Sequence, residues 1–285
     1  MGDDDLYDDL EEEDEQEPVP QTRVLSLRVD GPARGAAFGF LAMLPLLLAY
    51  EASGAGTAGH PRAVAEAIVC LPFDRLGLAD PVLARRTALG ALAVAALVSF
   101  QLQVRRAGGA ALGPRFLRTL LEGLIGALVL GPVLYAASEV ASPFVGAMVV
   151  GVGEGVTPTA GRAGFVLGSA AYEEVVFRLG LLSVLWLITR RFVSWLGAVP
   201  LAARLLAAAV SATGSAALFA AFHLEAFTGW LGPGGEVYDP AVFTWRATAG
   251  ILLAALFLWR GLGVAAWAHA FFNLALLVGA LPRSS

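Results

Sequence analysis

The sequence predicts an all-α fold, a polytopic transmembrane helix bundle of about seven spans, with six to eight as the range. Three observations carry this. Of the 285 residues, 57% are hydrophobic and the mean hydropathy is +0.70, well above a soluble domain of this length. Several apolar runs reach the roughly 20 residues that one span needs. Arginines cluster in alternate connections between those runs, as expected of cytoplasmic loops.

The chain opens with an acidic tail over residues 1–32. Residues 3–17 hold eleven of the 24 acidic residues and no basic one, and Pro18 and Pro20 follow. A run of like charge repels itself and buries nothing, so the tail is expected to be disordered and solvated. Its negative charge, with no apolar core close behind, is unlike a signal peptide. The remaining residues hold 19 basic and 13 acidic groups, a balance of +6, and every basic residue is Arg. With the abundance of Ala, Gly, Leu and Val, that usage suggests a bacterial coding bias. The single cysteine, Cys70, allows no internal disulfide and reads as a small buried or interfacial apolar residue.

Seven helical spans follow, at roughly 35–51, 87–104, 119–139, 163–189, 203–226, 241–259 and 262–281. The stretch 61–73 is amphipathic and is expected at the membrane interface. The run 143–152 is too short and Gly-rich to span alone. Arg105, Arg106, Arg115 and Arg118 lie between the second and third spans, Arg190 and Arg191 follow the fourth, and Arg260 follows the sixth. These positions put the N-terminus inside and the C-terminus outside. Arg62, Arg75, Arg85 and Arg86 fall in a loop that this orientation places outside.

Charged groups at the bilayer centre cost about 2.5–3.5 kcal/mol each and are functional suspects by default. The fourth span holds three within six residues: Glu173, Glu174 and Arg178. Glu174 and Arg178 are four apart, share a helix face and can pair. Glu173 is rotated by about 100°, which leaves it as a free carboxylate suited to general-base work. Two of the three histidines also lie in spans: His223, with Phe219 one turn before it, and His269, with Asn273 one turn after it. His60 lies in a loop beside Pro61. A carboxylate to take a proton from water, a histidine to orient that water or protonate a leaving amine, and an amide to hold an oxyanion suit peptide hydrolysis without a covalent nucleophile. The alternative for these groups is a buried charge network that only fixes helix packing. No His-Glu-x-x-His zinc motif, no Asp within a span and no Gly-x-Ser-x-Gly elbow is present. By hydropathy His223 lies near the external end of its span and His269 nearer the internal end of its own. Continuation of the fifth helix through Leu224–Trp230 would bring His223 to a shared depth.

The order Glu-Glu-x-x-x-Arg, Phe-x-x-x-His, His-x-x-x-Asn across three successive helical elements resembles the CAAX protease and bacteriocin-processing (CPBP) family, which includes the type II CAAX prenyl endopeptidases. The resemblance covers about residues 115–281 and divides the chain into the tail, an N-terminal group of helices with the interfacial segment over 33–114, and a catalytic transmembrane core over 115–285. It implies an intramembrane endopeptidase. Glu173 would be the catalytic base, His223 its partner in activating water, and His269 and Asn273 the groups that complete the site and hold the oxyanion. Glu174, Arg178 and Phe219 would support them. The family has been described both as metalloproteases and as glutamate-dependent enzymes. No cofactor is therefore expected to be required, and a zinc ion on Glu173, His223 and His269 is the alternative. The expected partners are the bilayer and a membrane-anchored protein or peptide substrate. Nothing points to nucleic acid, and the sequence is silent on oligomeric state. The expected location is the bacterial cytoplasmic membrane. Two other functions fit the same residues: a non-enzymatic membrane protein that binds a partner or gives bacteriocin self-immunity, and a proton-coupled transporter, to which Arg204 and Arg246 in or near spans would also belong.

Overall fold

Residues 35–55, 62–78, 80–107, 112–146, 158–231 and 234–279 are described by a computed structural model. The acidic tail, His60 and most of the run 143–152 lie outside the described residues. The molecule is an all-helical bundle. Its helices are α1 (Ala36–Ala52), α2 (Val64–Arg75), α3 (Pro81–Ala107), α4 (Leu112–Val145), α5 (Ala160–Glu173), a π-helical segment (Glu174–Leu182), α6 (Ser183–Trp195), α7 (Pro200–Ala221), the short α8 (Glu225–Thr228), α9 (Pro240–Arg260) and α10 (Leu262–Leu277). α5, the π-helical segment and α6 follow without a break. α3, α4, α7 and α9 are each long and apolar enough to cross a membrane, and α1 and α10 are shorter apolar helices. At 1.5 Å per residue the 34 residues of α4 extend about 51 Å, beyond the ~30 Å hydrocarbon core.

α10 is the central element. Leu262–Ala266, Ala268–Ala270 and Phe272 are all buried, in contact with α1, α4, α5 and α9. Lipid tails supply no hydrophobic drive for helices to associate, so close approach through small residues has to do that work. A Cβ on Gly123 of α4 would lie 2.5 Å from the Trp267 Cβ of α10, and one on Gly168 of α5 would lie 2.1 Å from the Tyr50 Cβ of α1. Trp267 also donates its indole N–H to the Ala42 carbonyl of α1 at 2.8 Å. α9 turns into α10 at Gly261 alone, whose φ of 90° is a conformation that glycine adopts without steric cost. This tight corner makes the two helices antiparallel neighbours.

One expectation needs correction. The fifth span stops at Ala221 rather than 226, and its helix does not run on through Leu224–Trp230. Phe222 and His223 form a turn, and a separate short helix begins at Glu225. α2, the segment expected at the interface, packs one face against the bundle, with Ala65, Glu66, Ala67 and Cys70 buried. The reason is a charge network that a loop reading of Arg85 and Arg86 hides. Arg85 is fully buried and bridges Glu51 of α1 at 2.6 Å and Glu66 of α2 at 2.9 Å, while Arg86 takes Glu51 at 2.7 Å. Arg62 pairs with Glu66 at 2.5 Å, and Cys70 donates its thiol to the same carboxylate at 3.1 Å. Desolvated charges demand partners, so α2 is drawn inward to supply one.

Candidate active site

Glu173 ends α5 and Glu174 opens the π-helical segment. π-helical turns are rare and concentrate at functional sites. Here the change of helix type falls between the two carboxylates. Both face one imidazole: His269 Nδ1 is 2.9 Å from Glu174 Oε1, and its Nε2 is 3.5 Å from Glu173 Oε2. The Glu174 carboxylate accepts, so Nδ1 carries the hydrogen and Nε2 is turned toward Glu173. Glu174 is fully buried, whereas the Glu173 side chain keeps 15% exposure.

Arg178 lies one turn beyond Glu174, with Nε 3.5 Å from Glu174 Oε2 and both side chains fully buried. Its Nη2 donates to the Gly250 carbonyl of α9 at 3.4 Å, and its guanidinium sits 4.6 Å from the centre of the Phe219 ring. Phe219 is the common floor of the site: its ring centre is 4.9 Å from that of His223 and 6.0 Å from that of His269. Glu173, Glu174 and Phe219 thus meet His269 of α10, and His223 joins them through the Phe219 ring.

His223 closes α7. Its Nδ1 is 2.8 Å from the Phe219 carbonyl, which can only accept, so Nδ1 is protonated and Nε2 is left to face outward. A strap holds the turn in place: Glu236 donates its backbone N–H to the His223 carbonyl at 2.9 Å, and Glu225 donates to the Glu236 carbonyl at 3.0 Å. The Glu236 carboxylate in turn grips both terminal nitrogens of Arg246 on α9. This strap, rather than a longer helix, is what sets the depth of His223.

Glu173, His223, His269 and Asn273 all line one cavity of about 380 Å³, with Phe219 at its floor and Glu236, Trp245 and Arg246 in its wall. Sequence reading did not find Glu236 or Trp245 as site residues. Glu236 sits in a loop with no motif, and only its strap to His223 reveals it. Arg246 was visible as a charge near a span but without its partner. Among the described residues no three His, Cys, Asp or Glu side chains gather as a metal-binding group.

The Arg246 hydrogen bonds hold the Glu236 carboxyl below its usual 4.5. A depressed carboxylate pKa contributes stability above the unfolded value and loses it as pH falls through the folded value. Glu236→Gln is therefore expected to melt lower than wild type at neutral pH, with the difference closing as the pH falls below 4.5 and through the carboxyl's lowered folded value. Melting curves of the two proteins across that range test this. A difference that persists in acid would assign the effect to packing rather than to charge.

The fold and the site define a class: a helical membrane protein with a buried carboxylate–histidine constellation opening into a cavity of mixed polar and apolar lining. Residues 155–275 match the family model described as Rce1-like, type II CAAX prenyl endopeptidase. That part of the chain, which holds every residue of the site described above, is similar to this protease family, and the four long apolar helices are those of an integral membrane protein. No curated protein and no solved structure matched the chain.

Proposed function

We propose that the protein is an intramembrane endopeptidase that hydrolyses a peptide bond of a membrane-anchored protein or peptide. The observation that carries this reading is the convergence of Glu173, His223, His269 and Asn273 on one cavity. Glu173 takes a proton from a water whose second contact is His223 Nε2. The water oxygen adds to the scissile carbonyl carbon, and the carbonyl oxygen becomes the oxyanion. The Asn273 amide donates to the oxyanion, and His269, held by Glu174 through Nδ1, completes the site beside it. The proton held by Glu173 passes to the leaving amine as the C–N bond breaks, which restores the carboxylate.

Water activation in this scheme needs no metal. Cleavage of a lipid-anchored peptide by the purified protein is expected to persist at an undiminished rate after treatment with a strong zinc chelator and passage over a desalting column. Loss of activity that zinc ions restore would replace this scheme with metal-assisted hydrolysis on a rearranged Glu173, His223 and His269.

The site is proposed to lie towards the external face of a bacterial cytoplasmic membrane, with the N-terminus inside and the C-terminus outside. The loops placed inside carry Arg105, Arg115, Arg118, Arg190, Arg191 and Arg260. Of the four arginines at the opposite end, Arg62 pairs with Glu66, Arg85 with Glu51 and Glu66, and Arg86 with Glu51, while Arg75 still counts against this orientation. The Glu236–Arg246 pair weakens the transporter alternative, because Arg246 has a partner at the cavity wall.

A further inference from the structure

At the end of the bundle away from the strap, two cavities meet at one ion cluster. The larger, about 440 Å³, is an apolar furrow between α4 and α9, with Val264 and Ala268 of α10 at its base. Its α4 wall runs from Arg118 to Val133, about 22 Å at 1.5 Å per residue, which exceeds the ~15 Å depth of one leaflet's hydrocarbon. The smaller, about 270 Å³, is lined by Arg115, Arg118, Thr119 and the Arg260–Gly261 corner. Arg118, Glu122, Arg260 and Val264 line both.

The charge at this junction is positive. Glu122 accepts one N–H from Arg118 and two from Arg260, although each guanidinium carries five. Arg115 stands in the same small cavity with its guanidinium 5.4 Å from the centre of the Phe100 ring. Three arginines against one glutamate leave a balance of +2. Gly261, Leu262 and Gly263 also line this cavity. They start α10, so its first backbone N–H groups, which have no partner within the helix, add positive potential.

We propose that this pair of cavities binds one anionic phospholipid of the bilayer, with its phosphate in the arginine pocket and one acyl chain in the furrow. A cationic pocket beside an apolar furrow of leaflet length complements a phosphate joined to a hydrocarbon chain, and basic clusters at the membrane surface attract anionic headgroups. The inner end of the furrow is Leu253, which also lines the catalytic cavity. A seated acyl chain therefore packs against the outer wall of that cavity. The proposal stands on these contacts alone and does not depend on the proteolytic reading.

Native mass spectrometry of the full chain in a neutral detergent tests it, with phosphatidylglycerol, phosphatidylcholine of the same chains and inorganic phosphate as probes. One phosphatidylglycerol is expected to bind in preference to phosphatidylcholine. Arg115→Gln and Arg118→Gln are each expected to weaken phosphatidylglycerol by roughly fivefold and to leave phosphatidylcholine unchanged. Val129→Trp, at an exposed position in the furrow wall, is expected to weaken the lipid without changing phosphate binding. Equal binding of the two lipids, or arginine variants that bind as wild type does, would overturn the proposal. A phosphatidylglycerol affinity untouched by Val129→Trp while inorganic phosphate competes for the pocket would also overturn it, in favour of a free-anion site. Circular dichroism melting of each variant confirms that the protein compared is folded.

Discussion

Glu173→Gln is expected to slow peptide cleavage by about 10²–10⁴-fold, the range that a positioned general base contributes. The substitution keeps the shape of the side chain and removes its charge and basicity. Gln cannot take the proton from water, and it also removes the negative partner that His269 Nε2 faces at 3.5 Å. The Glu173 side chain is partly exposed to the cavity, so the fold has little need of its charge. The melting temperature is expected to stay close to wild type while the rate collapses. Rates on a lipid-anchored peptide, read beside a melting curve for the same preparation, separate the two effects. Wild-type cleavage by this variant would remove Glu173 from the mechanism, and a partner-binding or self-immunity role would then become the better account.

Arg178→Met is expected to have the opposite profile and to destabilise the whole protein. Arg178 and Glu174 are both fully buried, and removing one partner of a buried pair costs about 3–5 kcal/mol because the other charge is left uncompensated. Arg178 also ties the π-helical segment to Gly250 of α9 and covers Phe219. The expected result is a large fall in folded yield and in melting temperature. The double variant Glu174→Gln with Arg178→Met removes the stranded charge and is expected to recover part of that stability without recovering cleavage, because His269 loses its charged partner. A single variant as stable as wild type would show that Glu174 draws its compensation from His269 alone.

The all-helical membrane-bundle class and the polar residues inside it were legible in the sequence because membrane spans write themselves as long apolar runs, and any polar residue inside one stands out. That is why Glu173, Glu174, Arg178, His223, His269 and Asn273 could be singled out, and why the pairing of Glu174 with Arg178 followed from helical spacing alone. What spacing did not show was the second role of Glu174, its bond to His269 at 2.9 Å. That contact is made across 95 residues and depends on a π-helical segment that has no sequence signature. The end of α7 was missed for a related reason. The residues from Leu224 to Trp230 are apolar enough to continue a helix, and only the distant Glu236 strap shows where the chain turns. The buried Glu51–Arg85–Glu66 network was hidden because charges in a short connection read as solvated until the fold closes over them.

The most direct test of the central claim is product analysis in water enriched in ¹⁸O. The purified protein is reconstituted in liposomes with a pool of membrane-anchored peptides, and the fragments are weighed by mass spectrometry. The account predicts fragments whose new carboxyl group carries one ¹⁸O, no peptide covalently attached to the protein on rapid quenching, and no fragments with Glu173→Gln. Intact peptides throughout, together with proton flux across the same liposomes, would contradict it and assign these buried charges to transport.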